Sequence, residues 1–79
     1  MRPPLVLTIA ASETDGAAGI QADLKTFTAL GVYGASAVTM ITVVTAAGVR
    51  GTHPLPGDIV RQQVEAVAVD LGGVPGDRQ

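Results

Sequence analysis

Residues 16–34 read Gly16-Ala17-Ala18-Gly19-Ile20-Gln21-Ala22-Asp23-Leu24-Lys25-Thr26-Phe27-Thr28-Ala29-Leu30-Gly31-Val32-Tyr33-Gly34, and this stretch decides the fold. Ile20, Leu24, Phe27 and Leu30 follow the i, i+4, i+7 spacing that gives a helix one apolar stripe. The spacing predicts a helix over residues 17–30, stopped by Gly31 just past its end. Asp23 breaks the pattern. At roughly 100° per residue it falls between Phe27 and Leu30 on the helix wheel, so a carboxylate points with the buried stripe. A carboxylate in that position needs a partner, because burying it alone is costly. The alternative is an acid that gains about 0.3–1 kcal/mol from the positive end of the helix. The residues alone leave these two readings open.

On the N-terminal side, Leu5-Val6-Leu7-Thr8-Ile9-Ala10 is short, apolar and partly β-branched. It reads as a buried strand of a parallel sheet. Residues 11–16 form a polar loop in which Ser12, Thr14 and Asp15 are candidate helix N-caps. On the C-terminal side, residues 34–45 are a second apolar run, and Val38, Ile41, Val43 and Val44 favour a strand. Residues 46–57 hold Gly48, Gly51, Gly57, Pro54 and Pro56 and read as loop or irregular edge structure. A second amphipathic helix is expected over residues 58–71, with Val60, Val64, Val67 and Leu71 inside and Asp58, Arg61, Gln62 and Glu65 outside. Pro56 before it and Gly72-Gly73 after it agree with those ends. Residues 72–79 read as a disordered tail.

The order is β-α-β-α, the opening of an α/β three-layer fold with a right-handed crossover. Two strands cannot bury both faces between two helices. The second strand is apolar on both faces, so an exposed apolar patch is expected, and with it self-association through the open sheet.

The chain has 79 residues, enough for one small domain. It has no cysteine, which excludes disulfides and thiolate metal sites. The lone histidine, His53, sits beside Pro54 and reads as a solvated loop residue, with no partner for a structural zinc site. A net charge of −2 with only 5 Lys plus Arg argues against a nucleic-acid partner. Hydrophobic residues make up 47% of the chain, yet no run reaches the roughly 18 apolar residues of a membrane span. The apolar run at the N-terminus is barely long enough for a signal-peptide core, so a cytoplasmic protein is expected.

The loop from Ala11 to Gly19 lies beyond the carboxyl end of the first strand, where open α/β sheets place ligands. Its glycines let backbone approach a ligand closely, or simply make a tight turn. It is not a GxxxxGK[ST] phosphate loop, because Lys25 sits too deep in the helix. Nor is it GxGxxG, because only Gly16 and Gly19 are present. Lys25 falls on the outer helix face with Gln21 and reads as solvated. Tyr33 is expected to pack at the helix-to-strand corner, and Arg50 and His53 to lie in a loop.

The block Gly19-Ile20-Gln21-Ala22-Asp23-Leu24-Lys25-Thr26-Phe27, in its context from about Leu7 to Leu71, closely resembles the start of the hydroxymethylpyrimidine/phosphomethylpyrimidine kinases of thiamine biosynthesis. These belong to the ribokinase-like superfamily. The resemblance implies the N-terminal part of a ribokinase-like αβα kinase domain over residues 1–71. It implies an ATP- and Mg-dependent phosphotransferase acting on a pyrimidine. It places Asp23 on the substrate's aminopyrimidine ring and the backbone of Gly16 and Gly19 in the same pocket. The family's ATP site, anion hole and catalytic base lie further along, and its G-x-G-[CD] motif is absent from these residues. No catalytic or metal-binding residue is therefore assigned, and the isolated chain is expected to be an inactive fragment. The alternative is a non-catalytic pyrimidine-binding or sheet-edge interaction module.

Three departures stand out. The family usually reads G-S-D-x-S-G-G-A-G where this chain has Ala11-Ser12-Glu13-Thr14-Asp15-Gly16-Ala17-Ala18-Gly19. Ala11 and Ala17 thus replace glycines, and the one at position 11 lies against the substrate. The family's A-Q-N-T is here Val43-Val44-Thr45-Ala46, so Val44 lacks the amide that bonds the pyrimidine. A buried ligand group left unpaired there costs about 1–3 kcal/mol. After Leu71 the resemblance fades.

Overall fold

The computed structural model describes residues 4–70. The order is β1 (Leu5–Glu13), α1 (Gly19–Ala29), β2 (Tyr33–Thr45), β3 (Gly48–Pro54) and α2 (Gly57–Ala68). The sheet is mixed and three-stranded, in the order β1-β2-β3. β1 runs parallel to β2, and β3 runs antiparallel to β2. This is a small α/β unit. The expected tail over residues 72–79, and Leu71 as the last inner residue of α2, lie outside the described residues.

The parallel ladder opens where the Tyr33 N–H donates to the Pro4 carbonyl at 2.8 Å, and pairs Leu5 with Tyr33 through Ala10 with Val38. One extra residue, Thr39, sits in β2 opposite the step from Ala10 to Ala11. Such a bulge bends the strand and adds twist. β1 continues to Glu13, further than the expected end at Ala10, because Ala11, Ser12 and Glu13 pair with Met40, Ile41 and Thr42.

α1 begins at Gly19 rather than residue 17. None of Ser12, Thr14 and Asp15 caps it, and the N-cap position is Ala18, with no side-chain hydrogen bond. Its far end behaves as expected. Gly31 sits at φ 77, its N–H reaches the Thr28 carbonyl, and the Val32 N–H reaches the Phe27 carbonyl, both at 3.1 Å. That double closure satisfies carbonyls the helix would otherwise leave open. Ile20 is buried and Leu24 and Phe27 are partly buried, but Leu30 is 71% exposed. Leu30 is the C-cap, where the helical periodicity no longer applies.

The clearest difference from the sequence reading is β3. Residues 48–54 form a strand, not a loop. Ala46 and Ala47 make the turn, with the Thr45 hydroxyl accepting from the Ala47 N–H at 3.2 Å and Gly48 at φ 121. The register skips Arg50, which bulges between Val49 and Gly51. Every residue of β3 is exposed, so only its backbone pairing marks it as a strand.

α2 packs on β2 through Val60, Gln63, Val64 and Val67, all partly buried, while Asp58, Arg61, Gln62 and Glu65 face solvent. Where the β3 ladder ends, the Leu55 N–H still reaches the Thr39 carbonyl at 3.0 Å. The Gln63 side chain then takes over. Its Oε1 accepts from the Val38 N–H and its Nε2 donates to the Val38 carbonyl, each at 2.8 Å. An amide carries the same donor and acceptor as a peptide group, so Gln63 adds one more rung to the ladder.

The core is thin. Ile20 and Ala37 are its buried apolar residues and Thr8 its buried polar one, among the described residues. Ile9, paired with Ala37, is 54% exposed, and Tyr33 is 64% exposed rather than packed at a corner. The exposed apolar surface expected for the sheet is present.

Candidate functional site

Asp23 lies one turn into α1 and reaches β1. The Thr8 hydroxyl donates to Asp23 Oδ2 at 2.5 Å. Thr8 is buried at 6% exposure and Asp23 is partly buried, so the bond lies in the seam between helix and sheet. A hydrogen bond to an ionised acceptor is short and about twice as strong as a neutral one. The sequence expectation that Asp23 points inward is correct, and a partner offsets part of its desolvation. Its second oxygen, Oδ1, takes no hydrogen bond among the described residues.

α1 sits close to the sheet because Gly34 has no side chain. A Cβ there would lie 2.8 Å from Leu24 Cδ2 and 2.9 Å from Phe27 Cδ2. The same closeness brings Asp23 within reach of Thr8.

The loop between β1 and α1 holds the two glycines singled out by sequence. Gly19 adopts φ 67, and a Cβ on it would lie 2.3 Å from the Ala11 carbonyl oxygen. Both the dihedral and the contact require glycine. Gly16 adopts φ 70. Its N–H donates to the Glu13 carbonyl at 3.2 Å, and its own carbonyl accepts from Lys25 Nζ at 3.0 Å. The Gly16 N–H is thus taken up within the turn, while its carbonyl keeps a second lone pair. Gly19 and Asp23, four residues apart on α1, share one helix face.

Four polar side chains missed as site-builders by sequence hold this loop. Gln21 Oε1 accepts from the Glu13 N–H at 2.9 Å while its Nε2 donates to Ser12 Oγ at 2.7 Å. Lys25 is not merely solvated, since it binds Gly16. Asp15 Oδ1 accepts from the Ala17 N–H at 3.1 Å. The Thr14 hydroxyl accepts from the Val44 N–H at 2.8 Å and donates to the Val44 carbonyl at 2.7 Å. Thr14 thus uses the backbone of Val44, whose side chain is partly buried. Arg50 and His53 lie on exposed β3, away from these contacts. The available signal was the i, i+4 placement of Gln21 and Lys25 beside a glycine turn.

Residues 13–73 match the model of the phosphomethylpyrimidine kinase family. The chain belongs to that family. The hydroxymethylpyrimidine/phosphomethylpyrimidine kinase of Bacillus subtilis is 55% identical over 65 residues, which is 82% of this chain and 24% of that protein. The crystal structure of phosphomethylpyrimidine kinase from Clostridium difficile superposes with a TM-score of 0.83 at 48% identity, over 86% of this chain and 29% of that one. Pyridoxal kinase from Staphylococcus aureus, solved with AMP-PCP and pyridoxal, gives a TM-score of 0.76 at 41% identity, over 85% of this chain and 25% of that one. The chain spans about a quarter of the length of the curated relatives it matches.

The matched region contains β1's end, the glycine loop, Asp23 and both helices. Among the described residues no group of three or more His, Cys, Asp or Glu side chains is placed to hold a metal ion. No helix among them is long and apolar enough to cross a membrane.

Proposed function

We propose that this chain is the pyrimidine-side part of a hydroxymethylpyrimidine (phosphate) kinase and does not transfer phosphate by itself. The observation that carries this reading is Asp23. Its Oδ2 is held by Thr8 while Oδ1 takes no hydrogen bond among the described residues, one helical turn from Gly19 at the end of the glycine loop. A carboxylate fixed at one oxygen offers the other to the exocyclic amine of an aminopyrimidine with little orientation left to lose. Phosphoryl transfer works by positioning and charge stabilisation of the reacting groups. The chain spans about a quarter of the length of its curated relatives, which supports an inactive fragment whose family partners in the reaction are ATP and Mg.

Calorimetric titration with hydroxymethylpyrimidine tests the binding. Saturable binding that Asp23→Ala abolishes is the expected result, and no saturable binding by the unaltered chain overturns it. Pyridoxal belongs in the same titration, because the Staphylococcus aureus relative is a pyridoxal kinase. Incubation of the pure chain with ATP, Mg and hydroxymethylpyrimidine is expected to yield no phosphorylated product. Any enzymatic turnover refutes the inactive assignment.

A second reading rests on exposed apolar surface: Ile9 at 54%, Tyr33 at 64% and Val49 at 65% exposure. It is a sheet-edge interaction module. A discrete, concentration-dependent oligomer in analytical ultracentrifugation favours it, and a monomer without such assembly removes it.

A further inference from the structure

We propose that Gln21 and Lys25 are positioning residues that hold the β1–α1 loop in one preformed conformation. The inference rests on the pyrimidine reading only in naming what the loop is shaped for. The two side chains lie four residues apart on α1 and therefore on one helix face. That face meets the last two residues of β1 and the apex of the loop that follows them. Gln21 binds the first part of the segment through Ser12 Oγ and the Glu13 N–H. Lys25, one helical turn further on, binds its apex through the Gly16 carbonyl. A single rigid helix thus grips the segment at two places.

The division of labour follows from chemistry. Ser12 and Glu13 present a hydroxyl and an N–H, and the Gln21 amide donates to the first while accepting from the second. Gly16 presents only a carbonyl at the turn apex, and an ammonium on a long stem reaches it as a donor. Gly16 at φ 70 aims that carbonyl at Lys25, and a Cβ at this position would sit 3.1 Å from Nζ. Thr14 and Asp15 bind the intervening residues to β2 and to Ala17. Every residue from Ser12 to Ala17 therefore takes part in at least one hydrogen bond. A loop ordered before a ligand arrives loses less freedom when it binds.

The test is backbone amide relaxation and hydrogen exchange on the nitrogen-15-labelled 79-residue chain. The variants are Lys25→Met, Lys25→Arg and Gln21→Leu. Lys25 is exposed, so Lys25→Met keeps the denaturation midpoint. In that variant the order parameters at Gly16 and Ala17 are expected to fall from about 0.85 towards 0.6, with β2 unchanged. Lys25→Arg restores them, and Gln21→Leu loosens Glu13 and Thr14 instead. Unchanged order at Gly16 and Ala17 in Lys25→Met, or loosening spread evenly over the chain, overturns the inference. Affinity for hydroxymethylpyrimidine separates it from the functional reading. A roughly tenfold loss in Lys25→Met, rescued by Lys25→Arg, supports both. If the unaltered chain binds no pyrimidine but its loop loosens as described, the pyrimidine reading fails and the positioning role stands. If the chain binds and Lys25→Met binds equally well, the positioning role fails.

Discussion

The corner where β1 turns into α1 and the hairpin where β2 turns into β3 are held by different means. At the corner, side chains bind backbone: Gln21, Lys25, Asp15 and Thr14 each close a specific gap. At the hairpin, backbone binds backbone along the ladder, the Thr45 hydroxyl closes the turn, and β3 adds no buried side chain. The first arrangement fixes one loop shape and depends on particular residues. The second fixes a strand pairing and is nearly indifferent to which residues carry it. Only the first resembles a built site.

The same substitution should therefore give opposite results in the two regions. Gly19→Ala is expected to have the largest effect. Its Cβ would meet the Ala11 carbonyl at 2.3 Å, at a φ of +67. The strain of a left-handed alanine, about 1–3 kcal/mol, adds to the cost of overpacking, together about 3 kcal/mol or more. Urea denaturation should show a chain largely unfolded without denaturant. Gly34→Ala should be milder. The atoms it would meet at 2.8 and 2.9 Å are the ends of Leu24 and Phe27, which can shift. A loss of about 1–2 kcal/mol is expected, with chemical-shift changes centred on Asp23 and Thr8 as the helix lifts.

Thr14→Val removes the side-chain link between the two regions and leaves the bond from the residue-14 N–H to the Thr42 carbonyl. It leaves the Val44 N–H and carbonyl without their side-chain partner at a solvent-exposed position. The expected cost is about 1 kcal/mol, seen as faster exchange of the Val44 amide. Gly51→Ala, in the hairpin, should cost nothing. No atom lies within 4 Å of the added methyl, and replacing glycine restricts the unfolded chain by about 0.4–1 kcal/mol. A denaturation midpoint that stays or rises sharpens the contrast with Gly19→Ala. A fall of similar size at both glycines would erase it.

The same contrast explains what the sequence made legible. The stripe of Ile20, Leu24 and Phe27, the stop at Gly31 and the valine face of α2 are periodic, and period follows from burial on one face. β3 has no such face. Gly-Val-Arg-Gly-Thr-His-Pro lacks alternation because neither side is covered, so its glycines and proline read as loop. Leu30 carried the pattern one step beyond the helix that gives it meaning, and Tyr33, at the first position of β2, is exposed. Asp23 could be placed facing inward from its angle on the helix, but its partner Thr8 lies 15 positions earlier and gives no local signal. Ser12, Thr14 and Asp15 looked like caps because their side chains favour local backbone bonds. Thr14 instead spans 30 positions to Val44, a contact that exists only once β1 and β2 are paired.

Gln63 reads Val38 through groups that every residue except proline possesses, because its amide meets only the main chain there. The two positions touch, yet their freedom to vary is unequal. Position 38 can exchange one extended residue for another without disturbing the contact, whereas position 63 needs both a donor and an acceptor on a side chain of this length. A contact of this kind leaves no paired signature in the changes two positions undergo, since one partner is constant by construction of the polypeptide. Its trace in a set of related sequences would be a glutamine held in a helix beside a strand residue that drifts.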